Sequence, residues 1–100
     1  MKILKDNIEV KVLDLGEVKI GDTKTYDYTL ENDSMWEVKD IELSIEDMDG
    51  IPVNEITFIK YPSVLLPKAK QLIQFSWTPS IEIKKGLKTQ LQIKAVEIWT

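Results

Sequence analysis

The stretch EDMDG, residues 46–50, places three carboxylates within five residues, and the chemistry such a cluster suggests is calcium binding. Asp47, Asp49 and Gly50 match the third, fifth and sixth positions of a calcium-binding loop. The first position would then be Ile45 and the twelfth Ile56, so two required oxygen ligands are missing. The spacing predicts a hairpin turn instead, with Gly50 free to take a positive φ. The other acidic residues alternate with apolar ones, which puts them on solvated strand faces, whereas general acid/base work needs a desolvated carboxylate in a cleft. Histidine and cysteine are both absent, which excludes Ser/His/Asp and Cys/His catalysis, thiolate metal sites and disulfides. The expectation is a protein that is not an enzyme, with no catalytic residue, no metal site and no cofactor.

The basic residues suggest equally little ligand chemistry. Seventeen acidic residues face thirteen basic ones, for a net charge of −4. All the basic residues are lysine, so the rigid fork with which arginine grips phosphate or carboxylate is missing. The charges are interleaved, and no basic stripe exists to neutralise a phosphate backbone. Nucleic acid is therefore not an expected partner. Lys84, Lys85 and Lys88 surround Gly86, either as a solvated turn or as a docking point for an acidic partner. No apolar run reaches the length of a membrane span, and MKILKDN at the start lacks the apolar region of a signal peptide. Neither a membrane nor a small-molecule substrate is expected.

What remains is apolar. Ile81 and Ile83 alternate within a connection, as a small extra strand or as an exposed contact patch. Trp36 lies beside a loop and Trp99 is penultimate; tryptophan anchors interfaces but also caps sandwich cores. Residues 1–7 read as an N-terminal arm carrying Ile3 and Leu4 to a neighbour, or as a frayed end. The candidate protein-binding residues are thus Ile3, Leu4, Ile81, Ile83 and Trp99.

The elements that must position these residues follow from period-two alternation, the pattern of half-buried strands. About seven runs show it. Ile8, Val10 and Val12 form one, Val18 and Ile20 another after Gly16, and Tyr26, Tyr28 and Leu30 a third. Ile41, Leu43 and Ile45 come next, followed by a short run from Ile56 to Ile59. YPSVLLP (61–67) carries two prolines and reads as a connection or an edge. Ile73, Phe75 and Trp77 share one face. Leu87, Thr89, Leu91, Ile93 and Ala95 share another, after which the phase inverts, as a β-bulge near Ala95 would make it do. Tyr26, Tyr28, Phe58, Phe75 and Trp77 are assigned to the core. One hundred residues suffice for one such core, since a chain of this size buries about two-thirds of its unfolded surface. The expected organisation is an arm over 1–7 and a single domain over 8–100.

LDLGEVKIGDTKTYDYTLEN (13–32), SVLLPKAKQLIQFSWTP (63–79) and KGLKTQLQIKA (85–95), taken in that order, resemble the ASH/MSP-type immunoglobulin-like β-sandwiches, including the bacterial DUF1573-like domains. The resemblance spans roughly residues 8 to 98. It departs at Lys68, where the family usually has glycine after the proline, and in the shortened loop NDSMWE. It implies an all-β, immunoglobulin-like sandwich, with Gly16 letting the chain leave one sheet and Gly21-Asp22 turning it into the next strand. It also implies a binding or scaffolding role. The functional expectation is a structural domain that docks on a protein partner in a larger assembly. Its most concrete form is a bacteriophage virion accessory protein, a head decoration or tail component located in the virion. The alternative is a cytoplasmic adaptor or scaffold module.

Overall fold

The computed structural model describes residues 1–80 and 87–98. Among these, nine strands form two antiparallel sheets packed face to face, and no helix occurs. The strands are β1 (Lys2–Lys5), β2 (Ile8–Glu9), β3 (Leu13–Gly16), β4 (Lys24–Glu31), β5 (Glu37–Asp47), β6 (Ile56–Lys60), β7 (Val64–Leu65), β8 (Lys70–Trp77) and β9 (Leu87–Ile98). One sheet has the order β2-β1-β4-β8-β6 and the other β3-β9-β5-β7. The all-β sandwich is as the alternation predicts, with two short strands more than the seven expected.

The core follows from the alternation in β4 and β8. Tyr26, Tyr28 and Leu30 stand on the inner face, with Phe75 opposite Tyr26 and Ile73 opposite Tyr28. Phe75 is fully buried. Its ring centroid lies 5.3 Å from that of Tyr26, 5.9 Å from Tyr28 and 5.6 Å from Phe58. Trp77 closes one end of this layer, and Leu13, Leu15, Val38, Ile41 and Ile45 complete the core from the other sheet. Full burial of a side chain of this size contributes about 1.5–3 kcal/mol.

Several local expectations are corrected. Residues 2–5 are not a detached arm but an integral strand, because Asp6 and Asn7 both take positive φ (53° and 65°). Two consecutive residues of that kind make a two-residue hairpin turn whose twist matches the strands it joins. The turn folds β2 back on β1, so Ile8, Val10 and Val12 do not share one strand, and Ile8 and Val12 are exposed. Val18 packs on the core, but residues 17–20 form no strand and Ile20 is exposed. From β2 onward each strand lies in the sheet opposite to the one before it, the first two crossings running over residues 10–12 and 17–23. The second crossing leaves Gly16 (φ 69°) and ends in a turn in which Gly21 takes φ 83° and Asp22 N–H bonds to Lys19 O.

The bulge near Ala95 exists, but its extra residue lies on the facing strand. Lys39 pairs with Val96 and Glu42 with Lys94, so Asp40 and Ile41 together oppose Ala95. Asp40 absorbs the mismatch with φ 53°. β9 therefore keeps one phase throughout. Its residues 91, 93, 95 and 97 share the face of Val38, while Val96 points outward and is about half exposed.

Candidate functional site

EDMDG forms the turn its spacing predicts. The Asp47 carboxylate accepts the backbone N–H groups of Asp49 and Ile51, each at 2.9 Å, and Gly50 sits at φ 83°. Both bonds fall on Oδ1, which is thereby spent on the chain itself. Among the described residues no three Asp, Glu, His or Cys side chains converge as a metal site would require. No helix among them is long and apolar enough to cross a membrane.

The most concentrated polar constellation is buried and structural. Asn32 has no exposed surface. Its Nδ2 donates to the carbonyls of Trp36 (2.7 Å), Leu65 (3.1 Å) and Leu66 (3.2 Å), and its Oδ1 accepts from Ser34 N (3.1 Å) and Ser34 Oγ (2.7 Å). Three carbonyls around one end of the amide can only accept, so that end must be the amino group. Asn32 thereby ties the loop after β4 to the segment around β7. Nearby, Leu66-Pro67-Lys68-Ala69 is a turn closed by Ala69 N–H to Leu66 O, with Lys68 at φ 64°. Glycine suits that position best, so Lys68 adopts the glycine-favouring backbone and reaches Asp33 O with its ammonium at 2.7 Å. Asp33 also pairs with the amino group of Met1 at 2.9 Å, which holds its carboxyl below the usual carboxylate range.

Polar groups farther back along β4 are likewise engaged with one another. Lys5 Nζ donates to Asp27 O at 2.8 Å and lies 5.3 Å from the Tyr28 ring centre, while Gln74 Nε2 donates to Asp27 Oδ1 at 2.8 Å. Tyr26 donates its hydroxyl to Leu15 O at 2.6 Å, joining the two sheets. Burial, helped by Tyr28 and Asp14, pushes this phenol up to about 12.

The expected contact residues divide. Ile3 is half-buried against the core. Leu4 stands with Thr29 and Leu72 on the outer face of the five-stranded sheet, yet it is only 6% exposed and is covered by its own chain. Ile81, Ile83 and Trp99 lie outside the described residues, as do Lys84 and Lys85.

What sequence reasoning did not find is an open seam between the sheets. β3 pairs with β9 only over Leu87 to Thr89. Beyond Thr89, β9 is paired with β5 on one side, and among the described residues no strand covers the other. Along this free edge lies a pocket of about 360 Å³ lined by Leu91, Ile93 and Ala95 of β9, Val38 of β5, and Met1 and Glu97 at the rim. Apolar side chains of Val38, Leu91, Ile93 and Ala95 line it beside Glu97 and other polar surface, while Gln90, Gln92 and Lys94 face outward. Comparison with protein-family models, curated proteins and solved structures finds no match to this chain.

Proposed function

We propose that this chain is a non-catalytic structural and interaction domain that docks on a protein partner in a larger assembly. The observation that carries this reading is the seam along β9: a pocket lined in part by Val38, Leu91, Ile93 and Ala95, beside a strand edge that no described strand pairs, is surface that a partner can cover with gain on both counts. The resemblance to immunoglobulin-like binding modules supports the same reading. The most concrete form is a bacteriophage virion accessory protein, a head decoration or tail component, and the alternative is a cytoplasmic adaptor module. Sedimentation of lysate from the source, followed by mass spectrometry of each fraction, tests it. Recovery in purified virions supports the virion form, and recovery in a smaller protein complex supports the adaptor. A chain that sediments only as a free monomer of 11.6 kDa sinks the docking reading.

A further inference from the structure

We propose that the free edge of β9, from Gln90 to Ile98, accepts a single extended strand supplied by the partner protein. This inference rests on the docking reading above and names the site and the form of the partner. The argument begins with backbone accounting. A strand turns the N–H and C=O of every second residue to each side, and those groups need partners wherever water is excluded. β5 pairs with one side of β9 from Thr89 to Ile98, but β3 pairs with the other only from Leu87 to Thr89. Among the described residues, nine, about 30 Å of strand, remain as an open template.

The second observation is the pocket. Leu91, Ile93 and Ala95 project from this edge strand into the space between the sheets, where β3, having ended, leaves them uncovered. A strand added to β9 would point alternate side chains into that same space. The edge and the pocket thus ask for one occupant with one periodicity: apolar residues inward at every second position, opposite Leu91, Ile93 and Ala95. The outward positions face Gln90, Gln92 and Lys94, so they suit polar residues and, beside Lys94, an acidic one.

The sheet order distinguishes a lone strand from a second copy of this chain. Only residues 10–12 connect β2 to β3, so the β2 edge of one sheet and the β3 edge of the other lie on the same side. On that side the five-stranded sheet continues past β4 by two strands, β1 and β2, whereas the four-stranded sheet stops at β9 once β3 has ended. Met1, at the start of β1, lines the pocket over β9. A second molecule bringing its own β9 alongside would drive its overhanging β1–β2 hairpin into this one. A single extended segment meets no such obstacle.

The test is to supply the strand. The chain is extended after Thr100 with Asn-Gly and the segment Thr-Val-Glu-Val-Thr-Val-Glu-Val-Thr, and a control carries proline in place of the central Thr. Tethering gives the segment a high effective concentration at the edge. The expected result is a Tm rise of about 5 °C or more, slowed amide exchange at alternate residues between 92 and 98, and at least a tenfold drop in the fraction that co-sediments with the assembly. The control should show none of these. No rise and no protection overturns the inference, as does an equal rise in the proline control or a dimer of the unextended chain formed through β9. Protection at the edge with undiminished co-sedimentation places docking on another face, so the inference falls while the docking reading stands. If the unextended chain co-sediments with nothing, the docking reading falls, and the melting and exchange results still decide whether the edge takes a strand.

Discussion

Asn32 concentrates more of the molecule's specificity than any other polar side chain described. Replacing it with alanine withdraws a donor shared by three carbonyls and an acceptor used by Ser34. The expected cost is about 2–4 kcal/mol, read as a lower urea midpoint. Asn32→Asp should cost at least as much, because a carboxylate would aim oxygen at oxygen. Tyr26 predicts a pH dependence. Its hydroxyl ionises near 10.0 in the unfolded chain but near 12 in the fold, so as pH rises the unfolded chain loses its proton first. The stability from Tyr26 is therefore whole below pH 10 and lost between 10 and about 12. Tyr26→Phe should lessen this alkaline loss in denaturation curves taken across that range. Tyr28, shifted the same way by burial, keeps part of it in the variant. The sequence marks Asn32 as the end of a strand, yet nothing local announces its role, since two of its partners lie 33 and 34 residues away.

At the scale of elements, the alternation identified β4, β5, β6, β8 and β9, because each has one face against the core. It failed where a strand is short or turns sharply. Asp6-Asn7 is a turn signal in the middle of what was read as an arm and a strand. The bulge was legible as a phase change, but it was assigned to β9. The better clue lies in β5, where the buried residues Val38 and Ile41 are three apart and not two. Asp40 carries the strain of that insertion, since a residue with a Cβ at φ 53° is disfavoured relative to glycine. Asp40→Gly should leave stability unchanged or raise it by up to about 1 kcal/mol, while Asp40→Val should lower it by about 1–2 kcal/mol. Thermal melts of both variants check the opposite signs, with 1 kcal/mol corresponding to about 4–8 °C in a domain of this size. Equal destabilisation by both would show that the aspartate side chain, and not the backbone, holds the bulge.

For the whole molecule, the pairing of ends distant in sequence governs folding. Leu13 pairs with Thr89, and the Thr89 hydroxyl donates to Leu13 O across 76 residues of chain. Such closures cost entropy before they bring contacts, so refolding should fall in the range of milliseconds to seconds. Trp77, fully buried, provides the stopped-flow fluorescence signal, and refolding within microseconds would contradict a topology this non-local. The same pairing explains why the seam escaped sequence reading: it depends on where β3 stops against a strand more than seventy residues later. Apolar residues such as Ile3 and Leu4 were legible as unusual before the first expected strand, but their burial depends on the partner strand β4. The pocket has one more consequence. Met1 and Glu97 line the same rim, so the start of the first strand and the close of the last described one lie side by side. A short linker from residue 98 to Met1, in a chain trimmed after 98 and reopened at the exposed Met48–Gly50 turn, should therefore give a circular permutation in which the order of the strands changes and the two sheets do not.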